Sequence, residues 1–215
     1  MCNKCDGTGR VYRKFTGAGG YEVMGWMYCD CDDALRARYR GIPEEALHWM
    51  FANFPGGKAG LRQAQTIANM PTPCWAVLMG PVGTGKTSLA VCAYKQIRNA
   101  GLWTAKFKNA ALLLDATKKT FGRDDLLNPL EALYEDCQFL VLDGLGERQL
   151  SEWEIGAMQQ LIGQRYTRRT SLATWITTNW DVGQFKLRLG DWVYDRLQQV
   201  ATMIVLDGKS LRRDP

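Results

Sequence analysis

From Cys74 onward, short apolar runs alternate with stretches whose apolar residues recur every three or four positions. The first kind reads as buried strand and the second as amphipathic helix. Trp75 to Met79 is an apolar run closed by Gly80-Pro81 and predicts a strand. A helix follows from Lys86 to Ala100, with Leu89, Ala93, Ile97 and Ala100 on one face and Gly101 as its stop. Trp103 to Phe107 predicts a second strand, Ala110 to Phe121 and Leu126 to Glu135 two helices, and Phe139 to Leu142 a third strand. Glu152 to Tyr166 predicts a helix along Ile155, Met158, Ile162 and Tyr166. Leu172 to Thr177 and Thr202 to Leu206 complete five strands. Strands separated by helices imply an α/β fold with a mainly parallel sheet covered on both faces.

Upstream the pattern changes. Residues 1–40 carry four of the seven cysteines and many glycines; residues 41–73, from Gly41 to Pro73, read as a linker with short helices; residues 74–215 hold the alternating part. Within the linker, Ala46, Leu47, Met50 and Phe51 form one short apolar face. No apolar run approaches the roughly 20 residues that span a bilayer, and Met1-Cys2-Asn3-Lys4-Cys5 has no signal-peptide pattern. The expectation is a cytoplasmic protein with no membrane partner. The net charge of +5 permits contact with nucleic acid without requiring it.

The chemistry is densest at Gly80-Pro81-Val82-Gly83-Thr84-Gly85-Lys86-Thr87, followed by Ser88. This is the phosphate-loop pattern, and it lies between a predicted strand and a predicted helix, the context that gives the pattern meaning. Small residues let the backbone curl until its N–H groups point at phosphates, and the helix N-terminus adds its positive end. Lys86 is expected to reach the β- and γ-phosphates of ATP, and the Thr87 hydroxyl to hold Mg²⁺. Asp143, at the end of the run Phe139-Leu140-Val141-Leu142, is the candidate second magnesium-side group.

Cys2-x-x-Cys5 and Cys29-x-Cys31 form two close pairs separated by a loop, the arrangement a tetrahedral Zn²⁺ site requires. Residues 10–28 between them alternate aromatic and polar side chains and predict a hairpin. The second pair is tighter than usual, which leaves Asp30 or Asp32 open as one ligand, and free cysteines near the chain start remain the alternative. His48 reads as a helix residue rather than a ligand, and Cys74, Cys92 and Cys137 read as buried core.

The runs Phe139–Glu147, Ser151–Glu154, Gln164–Tyr166, Trp175–Trp180, Gly190–Leu197 and Gly208–Arg212, in this order and spacing, resemble the AAA+ core of the DnaC/DnaI bacterial helicase loaders. The related IstB transposition helpers share much of it. The resemblance covers about residues 40–213 and implies a P-loop AAA+ three-layer sandwich; the cysteine pairs ahead of it predict a small zinc-ribbon-like module. It also implies that Asn179 is the sensor-1 amide, Arg196 the arginine finger that reaches a neighbouring subunit, and Arg212 the sensor-2 arginine. The family usually has a second acid directly after the strand-end aspartate. Here that position is Gly144, which cannot accept a proton, while Glu147 stands three residues on and is the candidate substitute. Slow hydrolysis is therefore expected, with ATP acting mainly as an assembly switch.

Basic residues interleave with aromatics at Lys106-Phe107-Lys108, Lys118-Lys119-Thr120-Phe121 and Arg165-Tyr166-Thr167-Arg168-Arg169. They read either as a surface for single-stranded DNA or as solvated helix faces. The resemblance as a whole implies an oligomeric ATPase that loads or remodels a replicative DNA helicase. The rivals are an IstB-like transposition helper, a small P-loop kinase, and a zinc-containing DNA-binding protein with an ATP switch.

Overall fold

The computed structural model describes residues 2–5, 10–16, 20–29, 31–54, 56–70, 72, 74–101, 103–123 and 125–211. The chain forms two compact units, Met1–His48 and Trp49–Pro215.

In the first unit β1 (Arg10–Thr16) and β2 (Glu22–Tyr28) pair antiparallel as the expected hairpin, with Arg10 opposite Tyr28 and Thr16 opposite Glu22. Helix α1 (Asp32–Arg38) follows, its N-terminus capped by the Cys31 sulfur, which accepts from the Ala34 N–H at 3.4 Å. Its small core is Cys5, Cys29 and Ala34, with Cys2, Val11 and Cys31 packed against it. His48 lies exposed in a turn rather than in a helix.

In the second unit α2 (Lys58–Ala68) packs on α3 (Lys86–Ala100), which follows β3 (Trp75–Met79) through the phosphate loop. Then come β4 (Ala105–Asn109), α4 (Ala110–Lys118), β5 (Phe139–Leu145), α5 (Glu152–Thr167), β6 (Ala173–Thr178), α6 (Val182–Leu189), α7 (Asp191–Val200) and β7 (Ala201–Val205). The strand order is β4-β5-β6-β3-β7, and every pairing is parallel. Burial on both faces explains why β3 and the Phe139–Leu142 part of β5 read as unbroken apolar runs rather than alternating ones; β6 is buried throughout as well, but carries Thr174, Thr177 and Thr178.

Several local expectations are corrected. No long helix spans 126–135: Pro129 disfavours helical backbone at the residue before it. The Asn128 side chain instead accepts from the Leu130 and Glu131 N–H groups, leaving one 3-10 turn at Glu131–Leu133. Helix α3 is buried around most of its circumference, while Ala100 at its end is exposed. The core face of α5 is Glu154, Ala157, Met158, Leu161, Ile162 and Arg165, so Met158 and Ile162 face inward as expected, while Ile155 and Tyr166 are only partly buried and the charged neighbours Glu154 and Arg165 are buried instead. In the linker Met50 is exposed, although Ala46, Leu47 and Phe51 are buried. Cys92 and Cys137 are core residues, whereas Cys74 is half-buried with its thiol 3.2 Å from the Met70 sulfur.

Candidate functional site

In an open parallel sheet the carboxyl ends of the strands form the natural ligand edge. The phosphate loop follows β3, Asp143 and Glu147 lie on or just past the end of β5, Asn179 follows β6, and residues 206–211 follow β7. Sequence-distant groups therefore meet on one edge of the sheet.

The Lys86 ammonium, nearly buried, donates to the carbonyls of Gly80 at 2.8 Å and Pro81 at 2.6 Å, which holds it at the mouth of the loop. Thr84 ties the turn by donating to the Pro81 carbonyl at 2.9 Å, and Val82 points outward. Ser88 is partly buried in the first turn of α3. Thr87 donates to Asp143 Oδ1 at 2.8 Å. That bond joins two residues 56 positions apart and brings together the two groups expected on the magnesium side. The donor set, one hydroxyl and one carboxylate beside a glycine-rich loop, fits a hard cation that keeps several waters.

Thr177 was not singled out by sequence, yet it fixes the aspartate. Its hydroxyl donates to Asp143 Oδ1 at 2.7 Å and accepts from the Gly144 N–H at 2.8 Å. The pairing of β5 with β6 shifts register between Leu142 and Leu145, and Gly144 sits in that irregularity with φ of +73°. A Cβ at position 144 would lie 2.7 Å from the Glu147 Cδ and 2.8 to 3.0 Å from its carboxylate oxygens. The Glu147 side chain thus folds back over the spot from which an acid at 144 would project.

A C-terminal strap covers the loop. The Leu211 N–H donates to the Gly83 carbonyl at 2.7 Å, and Ser210 Oγ is 2.1 Å from where a Cβ at Gly83 would stand, so residue 83 must be glycine. Phe54 and Leu211 close over Gly85 in the same way. Phe54 carries no motif that sequence reasoning would flag, and Ser210 and Leu211 stand out only as members of the run Gly208–Arg212, with nothing that points to the phosphate loop. Arg212 lies outside the described residues.

Asn179 is half-buried directly after β6. Arg196 on α7 is far from undirected: its guanidinium lies over the Trp192 ring at 4.7 Å and the Tyr166 ring at 5.3 Å, a pair of cation–π contacts that fix its orientation.

The basic–aromatic groups divide. Arg165 is fully buried and donates to the carbonyls of Leu133 at 2.7 Å, Cys137 at 3.0 Å and Ala173 at 2.8 Å, and to Thr174 Oγ1 at 2.8 Å. It is an internal strut, not a DNA contact. Lys118 pairs with Glu154 at 2.8 Å, and Arg148 joins the same carboxylate oxygen at 2.7 Å and Asp115 at 2.9 Å. Glu154 also accepts from the Ser151 N–H at 2.8 Å, as part of a capping box. Burial pushes its carboxyl up, but Lys118, Ser151 and Arg148 more than reverse this and hold it at about 2. Lys119 and Phe121 are exposed. Phe121 meets the Trp153 ring edge-on at 4.8 Å beside a cavity of about 380 Å³ lined also by Asn128, Tyr134 and Gln160.

In the first unit the four expected cysteines converge, their sulfurs all within 4.8 Å of one another. Cys2–Cys29 and Cys5–Cys31 are each 3.7 Å apart. A regular tetrahedron with Zn–S of about 2.3 Å has an edge of about 3.8 Å, so the spacing fits zinc and is too long for a disulfide. Backbone N–H groups support the sulfurs, Lys4 on Cys2 and Ala34 on Cys31, each at 3.4 Å. The Lys4 N–H brings the Cys2 thiol down to about 7. At Cys31 the Ala34 N–H also pulls downward, but burial and the neighbouring sulfurs outweigh it and raise the thiol to about 12. Asp30, the alternative ligand, lies outside the described residues, as does the Asp32 side chain.

This fold and this edge define a P-loop ATPase of the AAA+ class. Residues 60–214 match the family model of the IstB-like ATP binding protein, and the chain belongs to that family. No curated protein matches the chain. Among solved structures it is similar to the DnaC helicase loader, at 22% identity over 77% of this chain and 100% of that one, with a TM-score of 0.67. It is similar to DnaI at 18% identity, over 83% of this chain and 99% of that one, with a TM-score of 0.65. The replication initiator DnaA bound to AMPPCP and single-stranded DNA is 18% identical over 75% of this chain and 51% of that one, with a TM-score of 0.59. At these identities the structural likeness establishes the fold. Among the described residues no helix is long and apolar enough to cross a membrane.

Proposed function

We propose that this protein is an ATP-dependent loader or remodeller of a replicative DNA helicase, active as a homo-oligomer. The observation that carries the reading is the likeness to the DnaC helicase loader over the whole of that chain. In this reading the loop 80–87 and Ser88 cradle the triphosphate, with Lys86 on its β- and γ-phosphates. Thr87 and Asp143 hold Mg²⁺, which supplies positive charge to the transferring phosphoryl group when bound. Asn179 orients water, and Arg196, stiffened by Trp192 and Tyr166, stabilises charge on the nucleotide of a neighbouring subunit. Arg212, which follows Leu211 in sequence, takes the sensor-2 role. Cys2, Cys5, Cys29 and Cys31 hold a structural Zn²⁺ that stabilises a unit with little core. Single-stranded DNA meets the surface around Lys119 and Phe121.

Hydrolysis is slow because residue 144 has no side chain, and Glu147 is the carboxylate that accepts the proton. Expected with DNA are a turnover below about 1 s⁻¹, under the usual enzyme median of about 10 s⁻¹, and a loss of at least tenfold in Glu147→Gln. Turnover at tens per second that survives Glu147→Gln refutes both halves. For the client, ATP-dependent co-purification with a replicative helicase is the expected result. A second reading, an IstB-like transposition helper, is favoured by the family match over residues 60–214. Capture of a transposase with no capture of helicase selects it.

A further inference from the structure

Strand alternation sorts the β1–β2 hairpin into two faces. Val11 lies on one face and packs against the cysteine core. The opposite face carries Arg10, Tyr12, Lys14 and Thr16 from β1 and Glu22, Met24 and Trp26 from β2. Tyr12 and Trp26 are directly opposed, with ring centroids 5.4 Å apart and planes at 61°. Tyr12 is 56% exposed and Trp26 68%, with Met24 exposed beside them. Large side chains left in water at this density mark a contact surface, since folding gains little from them where they stand.

The charge around the rings indicates what they contact. Residues 10–28 contain Arg10, Arg13 and Lys14 against the single acid Glu22. Lys14 is ion-paired with Glu22, but both partners are well exposed, so the pair holds the lysine only weakly. Residues two apart on a strand are about 7 Å apart, which places a cationic group on each side of Tyr12 along β1. Aromatic faces flanked by cations suit a backbone of phosphates with splayed bases, whereas a stacked duplex hides its base faces.

We propose that this outer hairpin face, centred on Tyr12 and Trp26 with Arg10 and Lys14 beside them, binds single-stranded DNA by base stacking. It is a second DNA contact, distinct from the region of Lys119 and Phe121, and it does not depend on nucleotide.

The test uses the full chain and fluorescence anisotropy with labelled oligo(dT) of about 16 nucleotides, the upper site size of a compact stacking module. Tyr12→Ala/Trp26→Ala is expected to weaken oligo(dT) binding at least tenfold, while ATP affinity and zinc content stay at the parent's values. Tyr12→Phe/Trp26→Phe is expected to retain affinity. Arg10→Gln/Lys14→Gln, which leaves the rings in place, is expected to reduce the salt slope of log K by about 1.4, about 0.7 for each cation removed from a single strand. Unchanged oligo(dT) affinity in the alanine pair overturns the proposal, as does an unchanged salt slope in the glutamine pair. An equal loss for duplex DNA overturns stacking, and lost helicase capture with intact DNA binding makes the face a protein-docking surface instead. Lys86→Ala separates the two ideas: its failure to reduce ATP affinity strikes the ATPase reading and leaves the hairpin contact untouched.

Discussion

Thr177→Val removes one hydroxyl while keeping the shape of the side chain, and its cost can be worked from two bonds. The Gly144 N–H, buried beside β6, loses its acceptor at 2.8 Å; an unsatisfied buried donor costs about 1–3 kcal/mol. Asp143 loses the donor at 2.7 Å but keeps Thr87 at 2.8 Å, and a bond to a charged group contributes about 1.5–3 kcal/mol. Part of the second loss is recovered by water at the ligand edge, so the expected total is about 2–4 kcal/mol. Against a total stability of about 5–15 kcal/mol this is easily seen in urea unfolding, as a lower midpoint at unchanged slope. Thr177→Ser restores the hydroxyl and is expected to recover all but about 1 kcal/mol, the cost of one buried methyl. ATP affinity in Mg²⁺ should fall in the valine variant and recover in the serine one, because Thr177 aims the carboxylate. A valine variant within about 0.5 kcal/mol of the parent, the size of an ordinary surface substitution, refutes the reasoning. So does a serine variant as damaged as the valine one.

Arg165→Met takes the donors away from the carbonyls of Leu133, Cys137 and Ala173; a loss of at least about 3 kcal/mol in urea unfolding is expected, with DNA affinity of the folded fraction unchanged. A weaker DNA salt slope at full stability would return Arg165 to the surface role. Glu154 is held at about 2 in the folded chain, below the roughly 4.3 of a free glutamate, so its stabilisation is complete above about pH 5 and is lost as pH falls toward 2. The parent should therefore lose its advantage over Glu154→Gln across that window, as read from urea midpoints at each pH, and a difference that stays constant with pH would show that ionisation of Glu154 contributes nothing to stability.

The phosphate loop and Asp143 were legible because each is a local pattern: glycines at fixed spacing between strand and helix, and an acid ending an apolar run. The four cysteines were legible for the same reason, and the hairpin between them followed from its alternation. Contacts made across the sheet were not. Thr177 lies 34 residues from Asp143 and looks like any strand threonine until β5 and β6 pair. Phe54 and Leu211 meet over Gly85 only because the segment just before α2 and the segment after β7 both return to the loop. The face of α5 was misjudged because Glu154 and Arg165 are buried, and each is satisfied by partners that periodicity does not register. Arg165 looked like part of a basic patch for that reason. The helix expected at 126–135 failed on one residue, Pro129, whose effect reaches back to its neighbour.

The strap over the phosphate loop has a mechanical consequence. Leu211 and Gly83 share a hydrogen bond, and Ser210 fills the space beside the glycine, so the loop cannot widen without lifting residues 210 and 211. Tension on the segment beyond β7 is therefore felt at the phosphates, and any partner that grips that segment has a direct handle on how tightly the nucleotide is held.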